Sequence, residues 1–279
     1  MTFKEKLEAV QNARDSLICV GLDPDPWIPE GNFIGQTLTL LNIDIIDRTF
    51  KCASAYKLDA SYYRAHGVMG LTAAIDTVTA IRQRVPETPI IWDAKYSGTR
   101  RANERNAIEA FDVVRADAVT VTPYFDRDAF RPFLEHPGRG VFAVCKSSEN
   151  SDEFQDLPVT FPLAHTTGTI TMPLYRCVAH QVSSTWWNDG TCGLVVGATH
   201  PDGLRSVREI IGDDMLILIP GGGEYQKGSV GAAVRAGINS RRAGILMNFS
   251  RQIGLSEDPR KEIERLRKDV NTYRRERWN

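Results

Sequence analysis

Eight short apolar blocks recur along the chain, each followed by a stretch with helical spacing. They are 17–23 (LICVGLD), 53–59 (ASAYKLD), 89–95 (PIIWDAK), 117–123 (DAVTVTP), 141–147 (VFAVCKS), 193–199 (GLVVGAT), 215–221 (MLILIPG) and 244–250 (GILMNFS). Near-continuous, β-branched runs of this length are expected of strands covered on both faces in a parallel sheet. Between them the spacing predicts helices over 68–85, 102–115, 173–187 and 202–212, the last with Asp202 as N-cap and Glu209 in its body. Eight strand–helix alternations predict an α/β fold, a closed (β/α)8 TIM barrel in one domain over 1–255. A doubly wound open sheet is the alternative, but the count of eight and the lack of GxGxxG after the first strand favour the barrel. Residues 147–170 form the longest irregular segment, read as a functional or disordered loop. The tail 256–279, with eight basic and six acidic residues, reads as a solvated C-terminal helix packing on or extending from the barrel.

The remaining composition mostly excludes. With 34 basic and 35 acidic side chains the net charge is −1, so no global field attracts nucleic acid or an acidic membrane, and an anionic ligand must be gripped locally. No 18-residue apolar run suggests a membrane span, and MTFKEKLEAVQNARD at the N-terminus reads as an amphipathic helix rather than a signal peptide. Cys19, Cys52, Cys145, Cys177 and Cys192 lack metal-site spacing and read as reduced thiols in a cytoplasmic protein.

In a barrel, chemistry sits at the C-terminal ends of the strands. Those ends carry Asp23, Lys57 with Asp59, Asp93 with Lys95, Thr122, Lys146 with Ser147 and Ser148, Thr199, Gly221 to Gly223, and Ser250 with Arg251. Thr122 or Thr199 alone reads as a surface residue. Asp23, Lys57, Asp93 and Lys95 together put two carboxylates and two ammonium groups at one mouth, where each shifts the other's ionisation; a structural salt-bridge network is the bland alternative. PGGGEYQKG (220–228) after the seventh strand offers backbone N–H groups for close approach to an anion, and Arg251 after the eighth adds a guanidinium fork suited to phosphate. No GxxxxGK[ST], HExxH or GxSxG occurs.

These motifs, in this order, resemble the orotidine 5′-phosphate decarboxylase family, in particular its longer bacterial branch. The resemblance rests on CVGLDPDP (19–26), AYKLDASYYRAHG (55–67), WDAK (92–95), ADAVTVTPYF (116–125), GRGVFAVCKSSENSDEFQDL (138–157), GLVVGATHPDGLRSVREI (193–210), PGGGEYQKG and NFSRQI. It implies a homodimer with the active site at the interface, binding a pyrimidine nucleotide 5′-monophosphate and working without cofactor. By position, Asp23 and Lys57 would hold the ribose hydroxyls and the charged array. Asp93 would lie beside the substrate carboxylate, and Lys95 would protonate C6 as carbon dioxide leaves. Ser148 would contact the pyrimidine edge, with Thr122 also near the ligand. Gly221, Gly222, Gly223, Tyr225, Gln226 and Arg251 would surround the phosphate.

The family's pattern is Asp-x-Lys-x-x-Asp, then Ile and, three residues later, Thr, the last Asp completing the neighbouring subunit's array. Here the positions of that Asp and that Thr read Gly98 and Ala102, with Thr99, Arg100 and Arg101 between. The array therefore loses a negative charge, gains two nearby positives, and has no obvious replacement for the missing carboxylate. Leu58 and Asp59 stand for the family's Pro and amide, Glu149 and Asn150 for its Asn-Pro, and Tyr225 and Gln226 interrupt its phosphate loop. Thr99, Arg100 and Arg101 read either as solvated helix-start residues or as groups reaching a neighbouring subunit's ligand. Three readings follow: a pyrimidine-nucleotide lyase with Lys95 as proton donor, a repurposed homologue acting on a modified nucleotide, and a nucleotide-binding protein without catalysis.

Overall fold

The computed structural model of the chain describes residues 1–23, 34–149, 154–162, 168–186, 190–223 and 228–276. Eight strands close into a barrel: β1 (Ile18–Gly21), β2 (Ala53–Asp59), β3 (Ile90–Tyr96), β4 (Ala118–Val121), β5 (Gly140–Lys146), β8 (Cys192–Val196), β9 (Leu216–Ile219) and β10 (Ile245–Phe249). The ring runs β1-β10-β9-β8-β5-β4-β3-β2, with every neighbouring pair parallel. All eight fall on the apolar blocks, because a strand buried between helices and barrel interior must be apolar on both faces. Among the described residues no helix is long and apolar enough to cross a membrane.

The helices are α1 (Phe3–Arg14), α2 (Ile34–Thr49), α3 (Ala60–Arg64), α4 (Gly67–Arg84), α5 (Arg100–Ile108), α6 (Arg127–Leu134), α7 (Leu174–Gln181), α8 (Pro201–Ile211), α9 (Val230–Gly237), α10 (Arg251–Gly254) and α11 (Pro259–Arg275). Three sequence expectations change. The segment after β5 is not wholly irregular: β6 (Pro158–Pro162) and β7 (Thr169–Pro173) pair antiparallel, and Thr160 and Thr171, directly opposed, join their hydroxyls at 2.7 Å. The N-cap of α8 is His200, with Pro201 at the first helical position; Asp202 is the second helical residue and pairs with Arg205 at 3.1 Å. Pro at the first position ends the preceding chain there, which shifts the cap upstream. The tail helix α11 is not simply solvated: Ile263, Leu266 and Val270 are buried against the barrel's outer helices, and Asn271 donates to the Asp15 carbonyl at 2.7 Å.

Side-chain parity divides the barrel interior. Cys19, Ala55, Ile91, Ala118, Phe142 and Leu246 form an apolar floor together with Phe3 and Leu7 of α1, which therefore closes the N-terminal end. Two residues further along the same inward faces, the side chains turn polar: Lys57 then Asp59, Asp93 then Lys95, Thr120, and Asn248. Phe3 meets Phe142 edge-to-face at 5.7 Å, and a Cβ on Gly140 would stand 2.6 Å from the Phe3 ring, so the missing side chain makes room for the plug. Phe3→Ala is expected to destabilise by about 3 kcal/mol, the lower part of the range for emptying a buried aromatic site. Urea unfolding at neutral pH measures it; a loss under about 1 kcal/mol would show that α1 does not seal the floor.

Candidate active site

The polar residues above the floor form one connected ring. Lys57, fully buried, places Nζ 3.3 Å from Asp23 Oδ2 and 3.0 Å from Asp93 Oδ2. Asp93 Oδ1 lies 2.9 Å from Lys95 Nζ, and Lys95 Nζ lies 3.0 Å from Asp59 Oδ2. The Asp59 backbone N–H then donates to Asp23 Oδ1 at 2.9 Å, which closes the circuit. Parallel pairing explains the convergence: Gly21 is in register with Lys57, and Asp59 with Asp93, so the mouths of β1, β2 and β3 present these groups side by side.

Neutral groups fix each charged one. Ser250 Oγ donates to Asp23 Oδ2 at 2.6 Å, and a Cβ on Gly21 would lie 1.9 Å from that hydroxyl, so only glycine lets Ser250 in. Thr120 Oγ1 donates to Asp93 Oδ1 at 2.7 Å and accepts from the Lys95 N–H at 2.9 Å. Lys95 has φ +50 at a break in the β3–β4 register, an αL conformation that costs a non-glycine residue about 1 kcal/mol or more. The bulge turns Lys95 over the mouth, leaving its side chain 49% exposed, whereas Lys57 is sealed beneath. Asp59 Oδ1 accepts from the Ser61 N–H at 3.1 Å and its hydroxyl at 2.6 Å, so Asp59 is also the N-cap of α3.

Burial would raise Asp93, but Lys57, Lys95 and the Thr120 hydroxyl outweigh it and hold the carboxyl well below the usual carboxylate range. Burial would lower Lys57, yet Asp23 and Asp93 raise it well above an ordinary lysine. Lys95 follows the same balance: burial pulls it down, Asp93 and Asp59 push it up, and it ends above its ordinary value despite Lys57 nearby. Both ammonium groups are thus charged at neutral pH.

The ring opens into a cleft of about 310 Å³, at the small end of the range for small-molecule sites. Its inner wall is apolar, from Val144, Val195 and Leu218. Ser147, Ser148 and Glu149 line the side beyond β5; Gly223 and Arg251 line the side beyond β9 and β10. Ser148 is held by Thr199, whose hydroxyl donates to its carbonyl at 3.0 Å, and a Cβ on Gly197 would come within 2.5 Å of Ser148 Cα. The loop below is anchored by the buried Lys146, which pairs with Asp156 and sits 4.9 Å over the Tyr175 ring. At the opposite side Gly223 lines the cleft with Arg251, and a Cβ there would stand 2.7 Å from Gln252 Oε1, so the missing side chain makes room for Gln252.

Asp23, Lys57, Asp93, Lys95, Ser148, Gly223 and Arg251 all line this one cleft. Gly221 and Gly222 do not line the cleft; Gly221 supplies a turn at φ +85, and a Cβ on Gly222 would stand 2.8 Å from Met247 Cε. Thr122 stands outside the lining, its hydroxyl donating to the Lys95 carbonyl at 3.3 Å. Tyr225 and Gln226 lie outside the described residues. Thr99 is the N-cap of α5 without a side-chain cap bond, and Arg100 and Arg101 are exposed in its first turn, Arg100 pairing with Asp128 at 3.3 Å. Gly98 brings no side chain to the array, and Asp59 of the same chain lies 3.0 Å from Lys95 Nζ. Parity carries the signal, since Asp59 follows Lys57 on one strand face and pairs in register with Asp93. Thr120 and Asn248 were legible by the same rule. Among the described residues no group of three or more His, Cys, Asp or Glu is arranged to hold a metal ion.

Lys57→Met removes the buried ammonium at similar volume and strips Asp23 and Asp93 of their shared counter-charge. Breaking a buried pair this way is expected to cost about 3–5 kcal/mol at pH 7. Asp93 is depressed in the fold, so its contribution is present above the unfolded carboxylate value near about 4 and is lost as pH falls below it. The variant lacks that contribution, so its deficit should shrink between about pH 7 and about pH 3.5. Urea unfolding at the two pH values checks this, and an undiminished deficit at the lower pH contradicts it.

Comparison with known proteins agrees with the barrel fold. Residues 16–266 match the sequence model of the Orotidine 5′-phosphate decarboxylase / HUMPS family. The chain is 38% identical over 256 residues to orotidine 5′-phosphate decarboxylase of Bordetella avium, covering 91% of this chain and 90% of that one. It is 39% identical over 256 residues to the protein of the same name from Janthinobacterium sp., covering 91% of this chain and 89% of that one. The solved structure of Leishmania donovani OMP decarboxylase superposes with a TM-score of 0.85 at 29% identity, covering 99% of this chain and 100% of that one. A mouth lined by alternating Asp and Lys, on a barrel matched across nearly its whole length, places the chain in the orotidine 5′-phosphate decarboxylase / HUMPS family.

Proposed function

We propose that the chain is a cofactor-free decarboxylase of a pyrimidine nucleotide 5′-monophosphate, orotidine 5′-monophosphate being the first substrate to test. The observation that carries this reading is the Lys95 ammonium, held charged between Asp93 and Asp59 and half exposed to the cleft. In the proposed reaction the bond from C6 to the carboxylate breaks, its electron pair stays on C6, and carbon dioxide leaves. Lys95 stabilises the developing negative charge and then gives C6 a proton, regaining one from solvent. Asp93 faces the departing carboxylate, and repulsion relieved on its loss favours the transition state over the bound substrate. Gly223 and Arg251 would take the phosphate, whose binding energy far from C6 holds the base in place. Exposed Tyr124 and Phe154, with rings 6.5 Å apart, and the exposed Phe125 and Leu157 nearby in sequence support a homodimer as the working form.

A second reading, a modified nucleotide as substrate, is favoured by Glu149 and Asp59 in the cleft. A carboxylate at these places only accepts hydrogen bonds, where an amide would also donate, and so prefers a ligand presenting N–H or O–H.

Purified protein mixed with orotidine 5′-monophosphate should show the ultraviolet change of decarboxylation, and Lys95→Ala should abolish it while still binding nucleotide. Turnover that survives Lys95→Ala contradicts the mechanism. No turnover, with thermal stabilisation by uridine 5′-monophosphate, moves the chain to the second reading; neither effect removes the nucleotide altogether. Arg251→Ala should weaken binding of the monophosphate by about 30-fold, from the roughly 2 kcal/mol of a charge-assisted contact, and leave binding of the free nucleoside unchanged. Isothermal titration of both ligands tests this.

A further inference from the structure

The ring contains a carboxylate that the family pattern does not place there. The resemblance supplies the last acidic group of the array from a motif position that is Gly98 in this chain, and an amide where this chain has Asp59. Asp59 Oδ2 lies 3.0 Å from Lys95 Nζ, while Oδ1 is fastened by the N–H and hydroxyl of Ser61. Its own N–H grips Asp23 at 2.9 Å. One residue therefore joins both ends of the ring and aims a fixed oxygen at the exposed ammonium. A Cβ at Gly98 would meet Ala102 Cβ at a tight 3.3 Å and Asn103 Oδ1 at 3.6 Å, and the position carries no charge.

We propose that Asp59 is a positioning residue that supplies, from the same chain, the array's third carboxylate, holding the Lys95 ammonium over the reacting carbon in place of the acidic group absent at position 98. The ring is then complete within one subunit: carboxylates at 23, 59 and 93 alternate with ammonium groups at 57 and 95. The proposal rests on the decarboxylase reading for its reaction, but its electrostatic part stands on geometry alone. The charged groups facing Lys95 are Asp93 from its own strand and Asp59 and Lys57 from β2, with Asp23 beyond Lys57; the neighbouring β4 offers the Thr120 hydroxyl. Asp59 is thus the one of the two flanking carboxylates that can be neutralised without touching the Asp93–Lys57 contact.

Asp59→Asn is the informative variant, because asparagine also caps a helix N-terminus and keeps α3 anchored while losing the charge. With orotidine 5′-monophosphate, kcat should fall about a hundredfold, the size of effect seen when one preorganised electrostatic partner is removed. KM should change by less than about threefold, since the lost interaction belongs to the transition state. The alkaline limb of the kcat profile should move to lower pH: Lys95 works protonated, and losing a facing carboxylate lets it release its proton sooner. Unchanged kcat and an unchanged limb in a wild-type-like fold overturn the proposal. Coexpressing Asp59→Asn with Lys95→Ala subunits tests origin: a same-chain carboxylate predicts no activity beyond the sum of the two variants, and complementation would place Asp59 in the partner's site instead. Should the wild type not turn over this substrate, the decarboxylase reading fails separately. The pH dependence of Lys95 labelling by an amine-reactive reagent, read by mass spectrometry, then decides: a shift to lower pH in Asp59→Asn supports the proposal, and superimposable profiles overturn it.

Discussion

The structure turns on one buried ammonium group. Lys57 lies beneath the barrel mouth with Asp23 and Asp93 each about one hydrogen bond away, and its desolvation is tolerable only because these two partners flank it. That condition propagates. Asp93 must remain a carboxylate, so it takes Thr120 and Lys95 as further donors; Asp23 takes Ser250 and the Asp59 N–H. Each added partner has to come from a different strand end, and a closed parallel barrel brings such ends into one ring. The floor is the other half of the same arrangement. Because α1 plugs the N-terminal end with Phe3 and Leu7, the interior below the charges stays apolar.

Much of this was legible in the chain. The strands were readable because burial on both faces forces long apolar runs, and the polar residue that ends each run marks the mouth. The charged quartet was readable because lysine and aspartate two residues apart on one strand must face the same way. Less legible were features set by tertiary geometry. The cap of α8 depends on where Pro201 starts the helix, and the hairpin β6–β7 depends on cross-strand contacts such as Thr160 with Thr171. The three glycines after β9 looked alike as a motif, yet only Gly223 faces the cleft, since a turn at Gly221 and the approach of Met247 to Gly222 use the other two.

Asp59 shows why a motif can mislead where a face does not. Matched by position to the family pattern, it is a substitution on the ribose side, and the loss of an acid at 98 is a second, unrelated change. Placed on β2 opposite Asp93, the two become one event, because an ammonium at Lys95 needs a nearby negative charge and is indifferent to which segment delivers it. The delivery is also firm. A carboxylate at the end of a strand, doubly held by Ser61 at the start of α3, has little freedom left to lose when substrate arrives.

That firmness ties the chemistry to the local fold. The helix that Asp59 caps carries Tyr63, whose hydroxyl donates to the Leu22 carbonyl at 2.6 Å and accepts from Asn42 of α2 at 2.9 Å. Leu22 immediately precedes Asp23, and its N–H donates to the Lys57 carbonyl at 2.8 Å. One short helix therefore positions both ends of the charged ring, Asp59 through its cap and Asp23 through Tyr63. Moving α3 would move two of the three carboxylates together, so the spacing around the two lysines is preserved as a unit rather than residue by residue. In this barrel the alternation of charge is maintained by backbone register on one side, β2 against β3, and by a single helical turn on the other.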